Sequence, residues 1–145
     1  MIWLLRHGDA EDEAPDDASR RLTEKGRRQS RAAGSALARL GVSIDECLTS
    51  PKLRAAETAR LACEPLGCEV TEEDALRGGD IDIEALAAGR GDVLLVGHEP
   101  DFSRAVQLAT GARIDLKKGG VAAIEDGTLL VLLRPAQLKA ISAAA

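Results

Sequence analysis

The sequence predicts an α/β three-layer sandwich, with a mostly parallel central sheet extended by antiparallel strands, as a single compact domain over residues 1–145. Three observations predict it. Short, wholly apolar runs that suit strands buried on both faces alternate with longer stretches of helical periodicity. A hairpin pattern near the C-terminus adds antiparallel strands to that parallel set. No linker-like stretch and no internal repeat divides the chain, whose length suits one domain.

The elements follow in order. Ile2 to Leu5 is a continuous apolar run and reads as a buried strand. The acidic, Pro-containing stretch Asp9 to Ser19 reads as loop, its carboxylates (Asp9, Glu11, Asp12, Glu13, Asp16, Asp17) forming a solvated face. Thr23 suits the N-cap of a helix from about Glu24 to Leu40, with Ala33, Ala36, Leu37 and Leu40 on one stripe and Gly41 as its stop. A second strand centres on Cys47-Leu48-Thr49 and is broken by Ser50-Pro51. A second helix runs from Leu53 to Cys63, packing through Ala55, Ala56, Ala59 and Ala62. Glu69 to Thr71 is a weak strand, and Ile83 to Ala88 a short helix. Asp92 to Val96 is the clearest buried strand, and Asp101 to Thr110 the helix after it. Val121 to Ile124, a turn at Asp126-Gly127 and Thr128 to Leu133 make the hairpin, and a last short helix begins after Pro135.

Composition excludes several functions. With one Trp, one Phe and no Tyr, the chain lacks the aromatic platforms that stack single-stranded bases. A net charge of −5 gives no sequence-wide basic footprint for nucleic acid or an anionic membrane. No apolar run approaches the roughly 20 residues of a spanning helix. The N-terminal run reaches Arg6 too soon for a signal-peptide core, so a cytoplasmic protein is expected. Cys47, Cys63 and Cys68 lack metal-ligand spacing and read as free, mostly buried thiols.

In open α/β sheets ligands bind at the carboxyl ends of the strands, which singles out three places. Arg6-His7-Gly8 follows the first strand, Ser50-Pro51-Lys52-Leu53-Arg54 the second, and Gly97-His98-Glu99-Pro100 the clearest one. The chain has only two histidines, and both fall at such ends. Two imidazoles and two guanidiniums converging on one crevice are costly without an anion to compensate them. A phosphoryl group suits that demand, since Arg offers a planar fork to phosphate oxygens and the helix after Pro51 adds backbone donors.

These segments resemble the histidine phosphatase superfamily, whose fold is called phosphoglycerate mutase-like. Leu4-Leu5-Arg6-His7-Gly8-Asp9-Ala10 is similar to its opening motif. Arg20-Arg21-Leu22-Thr23-Glu24-Lys25-Gly26 is similar to a second segment, with Arg21 where the family usually has Pro. Ser50-Pro51-x-x-Arg54-Ala55-x-x-Thr58-Ala59 and Gly97-His98-Glu99-Pro100 match two more. Within the superfamily the likeness is greatest to the small phosphohistidine phosphatases of the SixA type, because 145 residues leave little room for a lid insertion over the pocket. The resemblance implies a phosphatase with His7 as the nucleophile that forms a covalent phosphohistidine. It also implies a phosphate pocket of Arg6, Arg54 and a protonated His98, with Arg20 as a weaker substrate-binding candidate at the rim. One ring nitrogen of His7 must then be unprotonated, and a backbone carbonyl near Gly8 is expected to hold the proton on the other.

The carboxylic acid that many relatives use on an alkoxide leaving group has no clean match. Asp9, Glu72, Glu73 and Asp74 are the candidates, and each also reads as a solvated surface residue. A missing acid matters less for a phosphoramidate, whose imidazole can leave as a neutral group. The expected substrate is therefore a phosphorylated protein, such as a histidine-phosphotransfer domain. A phosphomonoesterase for small metabolites and a non-catalytic module binding phosphorylated partners are the alternatives. No metal or other cofactor is expected, because histidines flanked by arginines make poor ligands. Docking to an acidic partner would have to be local, around Arg6, Arg20, Arg54 and Lys52, with Lys117-Lys118 read as a solvated pair.

Overall fold

The computed structural model describes residues 1–144 and builds them around six strands: β1 (Ile2–Arg6), β2 (Glu46–Thr49), β3 (Val70–Glu72), β4 (Val93–Gly97), β5 (Val121–Glu125) and β6 (Thr128–Leu133). Five α-helices accompany them: α1 (Glu24–Arg39), α2 (Leu53–Leu66), α3 (Ile83–Ala87), α4 (Asp101–Thr110) and α5 (Pro135–Ala143). The strands form one sheet in the order β3-β2-β4-β1-β5-β6. Its first four members pair in parallel, and β5 and β6 are antiparallel additions beside β1.

Alternation along the strands divides the core in two. Trp3, Leu5, Cys47, Leu94, Val96, Val121 and Ala123 pack against α1, α2 and α5 through Ala33, Ala36, Leu37, Ala55, Ala59, Ala62 and Leu138. Leu4, Leu48, Val93, Leu95, Ala122 and Ile124 face the other way, onto Ile83 of α3 and Phe102, Ala105 and Val106 of α4. The three layers are those the sequence predicts. Between β3 and β4 stand only a 3-10 turn (Asp74–Arg77) and the five-residue α3, so no lid insertion lies there.

Element ends differ in ways that matter for the site. Strands β1 and β4 each run one residue beyond the apolar run, because Arg6 pairs with Gly97 in register and the His7 N–H donates to the Gly97 carbonyl at 3.0 Å. Helix α2 continues past Cys63 to Leu66, with Pro65 in its last turn, until Gly67 closes it in the left-handed region at φ 70°. The weak strand lies one residue later than the sequence suggests, at Val70–Glu72.

Two glycines bring α1 against the loop after β1. A Cβ on Gly8 would stand 2.6 Å from the Gly26 carbonyl oxygen, and one on Gly26 would stand 1.9 Å from that of Asp9. Around this contact Thr23 caps α1 by accepting from the Gly26 N–H at 3.1 Å, while its hydroxyl donates to the Asp9 carboxylate at 2.8 Å. The cysteines are free thiols, Cys47 and Cys63 buried and Cys68 half-buried, with the Cys63 and Cys68 sulfurs 2.9 Å apart. Burial and the neighbouring Cys63 thiol push Cys68 up to about 12, which leaves it a poor nucleophile at neutral pH.

Candidate active site

The parallel register levels three strand ends. Leu5 pairs with Val96 and Thr49 pairs with the same Val96, so the residues that follow leave the sheet side by side. The Ser50 N–H extends the ladder by donating to the Val96 carbonyl at 2.9 Å. Arg6 and His7, Ser50 and the start of α2, and His98 therefore open on one crevice. The rings of His7 and His98 lie 5.2 Å apart, tilted by 55°.

Each member is held from behind. The Nδ1–H of His7 donates to the Gly8 carbonyl at 2.7 Å, the carbonyl that the sequence suggested. That bond fixes the tautomer and leaves Nε2 with a free lone pair. The Gly8 N–H donates to Thr58 Oγ1 at 3.1 Å, and the Thr58 hydroxyl donates to the Arg54 carbonyl at 2.7 Å, tying the His7 loop to α2. Arg6 donates through one terminal nitrogen to the Leu116 carbonyl at 3.0 Å. Arg54, only 6% exposed, donates one terminal nitrogen to the Asp17 carbonyl at 2.8 Å and the other to the Asp17 carboxylate at 3.2 Å.

Among the described residues, four buried side-chain polar atoms lack a partner, and three of them are Arg6 Nε, Arg54 Nε and His98 Nδ1. Buried donors are costly to leave unpaired, and three of these four unpartnered atoms belong to residues at the strand ends and the start of α2.

Burial pushes His98 down to about 3, and His7, Arg54 and Lys52 add to that against Asp17, whereas a phosphoryl dianion beside the ring would act in the opposite sense. Burial likewise pushes His7 down to about 4, with the Gly8 carbonyl opposing and Arg54, Arg6 and Lys118 reinforcing. An unfolded chain binds protons on these rings at ordinary histidine values, so between about pH 6.5 and pH 4 it holds more protons than the folded one. Stability is then fully present above pH 6.5 and falls as the pH drops through that window. For His7 alone the loss by pH 4 is roughly 3 kcal/mol. Urea midpoints measured from pH 7 to pH 4 should fall accordingly, and the pH-dependent part should shrink in His7→Gln.

The remaining candidates stand outside the histidine pair. Arg20 turns its guanidinium to the Glu11 carbonyl at 2.7 Å and the Asp17 carboxylate at 3.3 Å, meeting the site through Asp17. Asp9 holds Thr23, and its carboxylate is 3.6 Å from the Lys118 ammonium. Asp74 is exposed and pairs with Arg77, and Glu72 is exposed on β3. Glu73 is brought level with the strand ends by its N–H on the Thr49 carbonyl at 2.8 Å, but no ion pair or hydrogen bond links its carboxylate to the histidines. Asp17 and Ser50 are the additions that the structure makes. The Asp17 carboxylate meets Lys52 at 3.1 Å as well as Arg54 and Arg20, and the Lys52 ammonium, followed by the arginines, holds it far below the usual carboxylate range. Ser50, fully buried, places its hydroxyl 2.7 Å from His98 Nε2 and accepts from the Lys52 N–H at 3.2 Å.

A sheet of this order brings paired imidazoles and guanidiniums to its parallel strand ends, an arrangement whose donors suit a tetrahedral anion. The chain belongs to the histidine phosphatase superfamily (branch 1), whose profile matches residues 2–83. The structure is similar to that of the protein histidine phosphatase SixA complexed with tungstate, with a TM-score of 0.86 and 27% identity over 95% of this chain and 99% of that one. An uncharacterized protein of Picosynechococcus is 35% identical over 140 residues, 87% of this chain and 85% of its own length. The mitochondrial serine/threonine-protein phosphatase Pgam5 of Drosophila ananassae is 43% identical over 58 residues, which span 40% of this chain and only 20% of that protein. No helix among the described residues is long and apolar enough to cross a membrane.

Proposed function

We propose that the chain is a phosphatase that removes phosphoryl groups from protein phosphohistidine through a covalent intermediate on His7. The observation that carries this reading is the Nδ1–H bond of His7 to Gly8, which presents Nε2 as an unprotonated nucleophile at neutral pH among Arg6, Arg54 and His98. The likeness to SixA, a protein captured with a tetrahedral oxyanion, supports it.

In the first step the Nε2 lone pair attacks phosphorus, and the P–N bond of the substrate breaks. The substrate imidazole, protonated on its other nitrogen, leaves as a neutral ring. The His7 ring, still protonated on Nδ1, becomes the phosphorylated cation, stabilised by the Gly8 carbonyl. Water then attacks phosphorus, the P–Nε2 bond breaks, the electrons return to Nε2, and dihydrogen phosphate leaves. Neither step requires a carboxylic acid, and among the described residues no carboxylate is hydrogen-bonded to either ring. Charge on the equatorial oxygens is met by Arg6, Arg54 and a hydrogen bond from His98.

Ser50 sets that last donor. It accepts from the Lys52 N–H, and His98 Nε2 is the one acceptor within reach of its own proton among the described residues, so the hydroxyl donates to Nε2 and the neutral ring carries its hydrogen on the unpartnered Nδ1. Ser50→Ala is expected to lower turnover by about tenfold and to mix the tautomers, with the ring nitrogen shifts of His98 in NMR as the second readout.

The function is tested by comparing a phosphorylated histidine-phosphotransfer domain with p-nitrophenyl phosphate and a phosphoserine peptide at matched concentration. The phosphohistidine protein should be hydrolysed at least tenfold faster. Faster turnover of the esters would assign the site to phosphomonoesters, the chemistry that the Pgam5 likeness brings into view.

A further inference from the structure

Beside Arg6 a cavity of about 670 Å³ is lined by Lys25, Lys117, Lys118 and Arg134, with Asp9 as its carboxylate. It adjoins a second, of about 530 Å³, and the two share Lys25, Gln29, Pro135 and Ala136. Through those shared residues they form one open groove between α1 and the start of α5, with Arg6 at one end. Its far part has an apolar floor of Ala32, Pro135 and Ala136 between the basic side chains Arg28 and Lys139.

The charge along it runs against the molecule as a whole. The chain carries −5, yet the cavity beside Arg6 holds five cations and one carboxylate. Lys117 is partnered by Asp115 at 2.7 Å, and Lys118 stands 3.6 Å from Asp9. Arg6, Lys25 and Arg134 have no acidic side chain within ion-pair distance among the described residues. The solvated Lys117-Lys118 pair thus lines the same groove as Arg6, Lys25 and Arg134.

We infer that this groove docks an acidic segment of the phosphoprotein substrate, with the phosphohistidine entering beside Arg6 and flanking carboxylates lying along Lys25 and Arg134. This rests on the phosphohistidine reading above and names the kind of partner that the site takes. An amphipathic segment suits the groove because its apolar side can cover Pro135 and Ala136 while its carboxylates meet the cationic walls. On a net-negative protein such a patch steers acidic partners locally, and the attraction is sensitive to salt over a Debye length of about 8 Å at physiological ionic strength.

The test uses two phosphohistidine peptides of equal length, one flanked by glutamates and the other by glutamines, with the intact chain and with Lys25→Glu/Arg134→Glu. The glutamate peptide should show kcat/KM about tenfold higher at low salt, through KM. That advantage should vanish at about 0.5 M salt and reverse in the double variant. Equal kcat/KM for the two peptides, or an advantage that survives in the double variant, overturns the inference. The unphosphorylated glutamate peptide is titrated in parallel by fluorescence anisotropy. If neither phosphopeptide is hydrolysed, the phosphohistidine reading fails, while salt-sensitive binding lost in the double variant still upholds the docking groove; no such binding overturns it.

Discussion

Incubated with a phosphohistidine donor, the intact chain should take up phosphate that is stable to base and labile to acid, and His7→Ala should take up none. The expected fall in kcat/KM is about 10⁴-fold or more, the size seen when a covalent nucleophile is removed and the surrounding binding groups remain. The fold should survive the change. His7 is buried with its ring neutral, so its removal relieves a desolvated group and sacrifices one hydrogen bond, that to Gly8, at a cost of about 1 kcal/mol. Circular dichroism and a urea midpoint near that of the parent would establish that the lost activity is chemical. Label persisting on His7→Ala would move the nucleophile elsewhere, and unlabelled but undiminished turnover would mean direct attack by water. Either result overturns the covalent route.

The parts of the site legible in the sequence are those that depend on local pattern. A buried apolar run must end where its polar residues begin, so the ends of β1, β2 and β4 could be placed within a residue. Two histidines at two of those ends stand out because the chain has no others. The acceptor for His7 was also foreseeable, since a buried ring beside a Gly has a backbone carbonyl within reach. Asp17 was not foreseeable. It belongs to a run of six carboxylates that all look solvated, and only the 3-10 turn at Asp17–Ser19 brings it to Arg54, 37 residues away. Ser50 lay at a marked strand end but was read as a strand breaker, because its proton matters only once His98 is placed beside it. The charge of His98 is likewise not legible in the sequence. Residue types give the groups that can ionise, whereas burial and the sum of neighbouring cations decide whether they do, and both are properties of the folded chain.

Arg54 is where these long-range terms meet, and its replacement carries the second large effect. Its guanidinium is buried on the first turn of α2, with both terminal nitrogens on Asp17 and Nε unpaired. Arg54→Ala should lower kcat by 10²- to 10³-fold, equivalent to about 2.7–4 kcal/mol of lost transition-state stabilisation, by analogy with the loss of an oxyanion donor. Arg54→Lys keeps the charge but cannot hold Asp17 with two nitrogens and offer a third, so it should still lose about 10²-fold. The two variants separate on pH. Arg54 is one of the cations that push His7 and His98 down, so its removal makes the imidazolium form easier and raises both values. The acid limb of kcat/KM, expected near pH 4 in the parent from His7, should move upward in Arg54→Ala and stay close to its place in Arg54→Lys. A lysine variant with the parental rate would show that a point charge suffices and that the planar fork contributes nothing. An alanine variant with an unmoved acid limb would show that the group titrating in that limb does not feel the guanidinium.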